Sequence, residues 1–160
     1  MDYFQGVVTE YLRADRAMFV NTECCIQLNP GDNPDTSGPH WYCDAVAVNF
    51  RVSAVFLCEV SYSKSLDALV KRLEGWSTHW SAVCTALARD CALPTVWPVR
   101  PWLFVPEDRR EVLAKKFSKL LNASSKPNEM PEPKVTSLES VTPWMYRSWN
   151  RDANQSDSDA

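Results

Sequence analysis

The sequence predicts an α/β domain in which a mixed central sheet is flanked by helices. Three observations carry this prediction. Helical spacing of apolar residues occurs at the start of the chain and again in its middle. Short apolar runs of strand type lie between those two segments, and a further strand-helix pair follows them. With 160 residues, 45% of them hydrophobic and 23% charged, the chain is long enough for one domain with a sizeable core, and its composition excludes a disordered or fibrous class.

Element by element, Asp2 is placed to cap a first helix, because Tyr3, Phe4, Val7, Val8, Tyr11 and Leu12 recur at three-to-four spacing. This helix is expected to end between Arg13 and Arg16. Met18 to Leu28 is short and apolar and runs into the turn-forming Asn29-Pro30-Gly31-Asp32-Asn33-Pro34, which marks it as a strand. His40 to Phe50 and Ser53 to Tyr62 are two more strand-like runs, and the Arg51-Val52 connection between them implies an antiparallel hairpin. By the period of two, Asp44 shares a face with Val46 and Val48, and Glu59 shares one with Val55, Leu57 and Ser61.

A long helix from about Ser65 to Cys91, capped by Ser63 or Ser65, follows from the spacing of Leu66, Leu69, Val70, Leu73, Trp76, Trp80, Val83 and Leu87. Trp76 and Trp80 then read as core packing before base stacking. Thr95 to Val105 is apolar but contains Pro98 and Pro101, which suits an edge or bulged strand. Arg109 to Leu121, with acids ahead of it and Lys115, Lys116 and Lys119 late, is a further helix. The expected organisation is an α/β domain over 1–122, a linker over 123–134, a short strand and aromatic segment over 135–150, and a disordered acidic tail over 151–160.

Bulk properties limit function. A net charge of -3 and a pI near 5.4 lack the basic excess of proteins that hold nucleic acid by phosphate contacts alone, so any such binding must be local. Met1 to Gln5 has neither a basic nor an apolar leader pattern, and the apolar stretch 45–60 is interrupted by Asn49, Arg51, Ser53 and Glu59. The expectation is a cytoplasmic protein without a membrane span. Six cysteines form no C-x-x-C pair and read as reduced, mostly buried thiols; His40 and His79 are too scattered for a zinc site.

The hairpin sets Asp44 and Glu59 on neighbouring strands, where two carboxylates facing one side can share a hard divalent cation. Acids on apolar strand faces need a metal, a basic partner or solvent to offset their burial. The alternative is that Asp44 is solvated at the sheet end and Glu59 pairs with Lys64 or Arg51. Taken with the order helix, strand, strand with Asp, strand with Glu, helix, strand, residues 2–122 resemble the restriction-endonuclease-like, or PD-(D/E)xK, nuclease superfamily and its αβββαβ core. Asp44 matches the signature Asp, Glu59 of Cys58-Glu59-Val60-Ser61 the signature Glu, and Glu10 the acid often found in the first helix.

The resemblance implies Mg²⁺ or Mn²⁺ at Asp44 and Glu59, assistance from Glu10, and hydrolysis of phosphodiester bonds in DNA or RNA. The signature lysine position holds Ser61, whose neutral hydroxyl cannot supply a positive charge. Lys64, at the start of the middle helix, is the first candidate to replace that lysine, with Lys71 and Arg72 behind it. The other reading is a catalytically silent member of the same fold that binds a nucleic acid or a protein partner, with the aromatic segment 144–149 as a docking element.

Overall fold

In a computed structural model, residues 2–28, 40–124 and 129–146 are described, with the side chains of His40 and Trp41 left aside. The chain is α/β, with a five-stranded mixed sheet and four α-helices among these residues. Residues 29–39, 125–128 and those beyond Tyr146, on which the expected turn, part of the expected linker and the expected tail fall, lie outside them. No described helix is long and apolar enough to cross a membrane.

Helix α1 (Tyr3–Arg13) opens with a reciprocal cap. The Asp2 carboxylate accepts from the Gln5 N–H at 2.8 Å, and the Gln5 Oε1 accepts from the Asp2 N–H at 2.9 Å. Strand β1 (Met18–Gln27) pairs antiparallel with β2 (His40–Asn49), and β2 pairs antiparallel with β3 (Ala54–Val60), so the expected hairpin is present. Its turn is fastened by Asn49, whose Oδ1 accepts from the N–H groups of Arg51 at 2.9 Å and Val52 at 3.4 Å.

Two helices, α2 (Asp67–Thr78) and α3 (Trp80–Asp90), replace the single helix expected over 65–91. The break is at His79, with φ -119° and ψ 26°. The apolar spacing crosses it unbroken because Trp76 and Trp80 both face the core, at 0% and 7% exposure. Of the two serines expected to cap α2, Ser65 contributes, its Oγ accepting from the Asp67 N–H at 3.4 Å, but it does not occupy the N-cap position of the helix. Its cap is Leu66, held at φ 57°, a conformation disfavoured for a leucine and tolerated here because the side chain is fully buried.

Strand β4 (Val99–Val105) is central, not an edge: it runs parallel to β3 on one side and to β5 (Lys134–Ser137) on the other. The prolines fit for a local reason. Val55 N–H donates to the Pro98 carbonyl and Ser61 N–H to that of Phe104, so the even-numbered residues of β4 face β3. The nitrogen of Pro101 therefore turns toward β5, whose pairing begins only at Trp102, and no ladder hydrogen bond is lost. Helix α4 (Arg110–Ala123) follows a short 3-10 turn over Glu107–Arg109. The short strand expected at the start of 135–150 is present as β5 and joins the same sheet, and Met130, in the stretch expected to be a linker, lies in its core.

Helix α1 covers one face of the sheet with Val8, Tyr11 and Leu12 against Ala45, Ala47, Cys58, Trp102 and Phe104. The other three helices cover the opposite face. Along β1, Met18 and Val20 belong to the α1 side, yet Cys24 and Ile26, of the same parity, belong to the other; along β2, Ala45 and Cys43 divide in the same way. The exchange occurs at Glu23, whose φ of 53° turns the strand over. Pairing of β1 with β2 omits Glu23 and Asp44 and resumes at Cys24 and Cys43. This kink shapes the candidate site.

Candidate active site

Pairing of β2 with β3 stops at Ala45 and Cys58, and beyond it β2 stays with β1 while β3 stays with β4. The sheet therefore parts into two halves, with Asp44 and Glu59 at the first positions past the last pair. Their side chains take over from the missing ladder. Asp44 Oδ2 accepts from the Val60 N–H at 2.8 Å, and Glu59 Oε1 accepts from the Asp44 N–H at 3.4 Å. The two acids are thus linked to each other's strands through backbone N–H groups, at a split in the sheet.

Two further side chains complete the cluster, one from each layer of helices. Gln5, in the first turn of α1, donates from Nε2 to Asp44 Oδ1 at 2.7 Å, positioned by the same cap that starts the helix. Arg72, one turn into α2, forms a hydrogen-bonded ion pair with Glu59 Oε2. Glu59 is 3% exposed, whereas more than a third of the Arg72 side chain remains in contact with solvent.

Burial is the main reason the Glu59 carboxyl is pushed up to about 8, and the neighbouring Asp44 adds to the effect; Arg72 and the Asp44 N–H pull in the other direction without cancelling it. The nearby Cys43 and Cys58 thiols are also raised, first by burial and then by Glu59. This environment disfavours negative charge: two acids meet one guanidinium. A carboxyl perturbed by burial beside a specific charge partner is a recurring mark of functional sites.

The other expected site residues lie elsewhere. Glu10 is on the solvent side of α1, its side chain 71% exposed, 3.7 Å from Arg13. The reason is phase: Val8, Tyr11 and Leu12 bury the face that also carries Gln5, and Glu10 points away from it. Lys64 is exposed in the segment between β3 and α2 and has no ion pair or hydrogen bond among the described residues. Ser61 sits beside the acids in sequence but contributes a backbone N–H to Phe104 at 3.0 Å. Arg51 pairs with the buried Asp15 at 3.2 Å, not with Glu59.

Arg72 was legible as a weaker alternative to Lys64, one or two turns further along the expected helix. Gln5 was not, because nothing in its spacing distinguishes it from a capping residue. Among the described residues no group of three or more His, Cys, Asp or Glu side chains is arranged to hold a metal ion. The cluster offers two carboxylates, the hard oxygen donors that Mg²⁺ and Mn²⁺ prefer, and would need water or substrate oxygens to complete a coordination shell. No protein family, curated protein or solved structure matches the chain.

Proposed function

We propose that the chain is a divalent-metal-dependent, nuclease-like protein of the restriction-endonuclease-like fold, acting on phosphodiester bonds of nucleic acid. The observation that carries this reading is the placing of Asp44 and Glu59 side by side at the split between β2 and β3, where two carboxyl groups share the single guanidinium of Arg72. Asp44 and Glu59 are the ligands of Mg²⁺ or Mn²⁺; when bound, the cation supplies Lewis acidity and a water of lowered pKa. Gln5 orients Asp44 through one oxygen. Arg72 provides the fixed positive charge that Ser61 cannot, in a form that stabilises a phosphate but does not exchange protons. Glu10 has no role in this arrangement.

One observation favours the catalytically silent alternative. Both oxygens of Asp44 and both of Glu59 already accept hydrogen bonds from Gln5, Val60, Asp44 N–H and Arg72. In that reading the acids bind the split sheet together, and exposed Trp144 and Met145 beside the packed Tyr146 mark a surface for a protein partner.

Cleavage of single- and double-stranded DNA and RNA with Mg²⁺ or Mn²⁺ separates the two. The nuclease reading expects wild-type cleavage, its loss in Asp44→Asn, a drop of about a hundredfold in Arg72→Ala, as for other fixed charges aimed at a reacting phosphate, and little change in Lys64→Ala. The reverse ranking of Arg72 and Lys64 would return the cationic role to Lys64. No cleavage by the wild type on any of these substrates selects the silent fold.

A further inference from the structure

On the face of the sheet away from α1, the last turn of α3 is anchored to β1. The Arg89 guanidinium donates to the Gln27 carbonyl at 2.7 Å while also pairing with Asp90. Cys91 closes this helix, its N–H donating to the Leu87 carbonyl at 2.9 Å, and the next residue, Ala92, turns back with φ 51°. The anchoring brings the exposed Cys91 side chain into hydrogen-bonding contact with that of Cys24, which is 9% exposed on β1. All six cysteines are free thiols.

We propose that Cys24 and Cys91 are a reactive thiol pair that closes to an intramolecular disulfide on exposure to a low-molecular-weight disulfide such as oxidised glutathione. The chemistry divides the roles by access. The Cys91 thiolate, at the surface, attacks one sulfur of oxidised glutathione, forming a mixed disulfide and releasing one glutathione thiolate. Cys24, inside, then attacks the Cys91 sulfur, expels the second glutathione and leaves the Cys24–Cys91 bridge. Two protein thiols are oxidised and one glutathione disulfide is reduced to two thiols.

The contact also prepares the first step. The hydrogen bond between the two side chains lowers the Cys91 thiol to about 7 against the opposing effects of burial and the Asp90 charge. The same hydrogen bond, with burial and the neighbouring Cys43 and Cys25, raises Cys24. Once Cys91 is in the mixed disulfide, its negative charge is gone and that restraint on Cys24 ends. The bridge would join β1 to α3 one residue from Glu23, where β1 turns over opposite Asp44.

The test is incubation of the full chain with oxidised glutathione near neutral pH, followed by intact-mass measurement and peptide mapping. Expected are a loss of two hydrogens in the wild type, a Cys24–Cys91 cross-linked peptide, a persistent glutathione adduct on Cys91 in Cys24→Ala, and no cross-link in Cys91→Ser. In the untreated wild type, iodoacetamide should alkylate Cys91 roughly tenfold faster than Cys84 or Cys25 at neutral pH, with a rate midpoint near 7. The proposal is overturned by a wild-type adduct that never closes, by preferential reaction of Cys25 or Cys84, or by a Cys91 midpoint at the ordinary thiol value. The alkylation measurement uses only the wild type and stands if a variant fails to fold.

Discussion

Trp102→Ala is expected to lower stability by about 3–5 kcal/mol, with a matching fall in the denaturant midpoint and little change in the slope of the transition. Trp102 is 1% exposed in the middle of β4, where its ring meets Phe104 and Phe56 at centroid distances of 5.1 Å each and Tyr11 of α1 at 6.3 Å. Its indole N–H donates to Thr136 Oγ1 at 2.8 Å, and the Lys134 ammonium lies 4.4 Å from its ring centre. Truncation therefore opens a cavity on the α1 side, leaves the Thr136 hydroxyl without this donor and removes a cation–π partner from a lysine that is only 5% exposed. Trp102→Phe should recover most of the packing but not the hydrogen bond, so its loss should be clearly smaller. Equal losses in the two variants would mean that the hydrogen bond, and not the filled volume, holds this side of the sheet.

The second large effect is expected at Arg72, and it should depend on pH. In the folded chain the Glu59 carboxyl ionises only near 8, whereas an unfolded glutamate ionises near its ordinary value of about 4.3. Unfolding therefore releases a proton between these values, and the contribution of Glu59 to stability falls as pH rises through that interval. Arg72 limits this fall, since its charge favours the ionised carboxylate. Arg72→Met should thus cost only about 1 kcal/mol at pH 5, where Glu59 is neutral and a hydrogen bond is lost. At pH 8.5 the loss should grow to about 2 kcal/mol, below the usual figure for a wholly buried pair because the guanidinium is partly solvated. Glu59→Gln should flatten the pH dependence of both backgrounds. Melts across this range decide the matter: a penalty for Arg72→Met that shrinks with rising pH would contradict the electrostatic description of the cluster.

What the sequence made legible follows from which signals are local. The hairpin over 40–62 was readable because two apolar runs flank a short connection, four residues long in the structure, and with it came the placement of Asp44 and Glu59 on neighbouring strands. The first helix was readable from Asp2 and the spacing to Leu12. The break at His79 was not, because the core-facing positions 73, 76, 80 and 83 keep their phase across it and no proline marks it. The central position of β4 was hidden by Pro101, whose tolerance depends on where β5 begins rather than on anything in β4 itself.

In the candidate site, the acids were legible as a pair, but the way they are used was not. The left-handed backbone at Glu23 carries no sequence signal, since glutamate rarely adopts it, and yet it accompanies the interruption in pairing that leaves Asp44 free to cap Val60. Gln5 drew no attention in the sequence, though it serves both the cap and Asp44. Glu10 drew attention as an acid in the first helix, but helical phase sends it to solvent. Choosing between Lys64 and Arg72 required knowing that α2 starts at Asp67, which directs Arg72 back toward Glu59.

The central claim is that Asp44 and Glu59 form a site for a divalent cation. Isothermal titration calorimetry of the wild-type chain with Mn²⁺ and Mg²⁺, at a pH above 8 where Glu59 is ionised, tests it most directly. The account predicts one saturable site per chain, accompanied by proton release when the titration is repeated near pH 7, and its disappearance in both Asp44→Asn and Glu59→Gln. Absence of binding in the wild type, or binding that survives both substitutions, would contradict it.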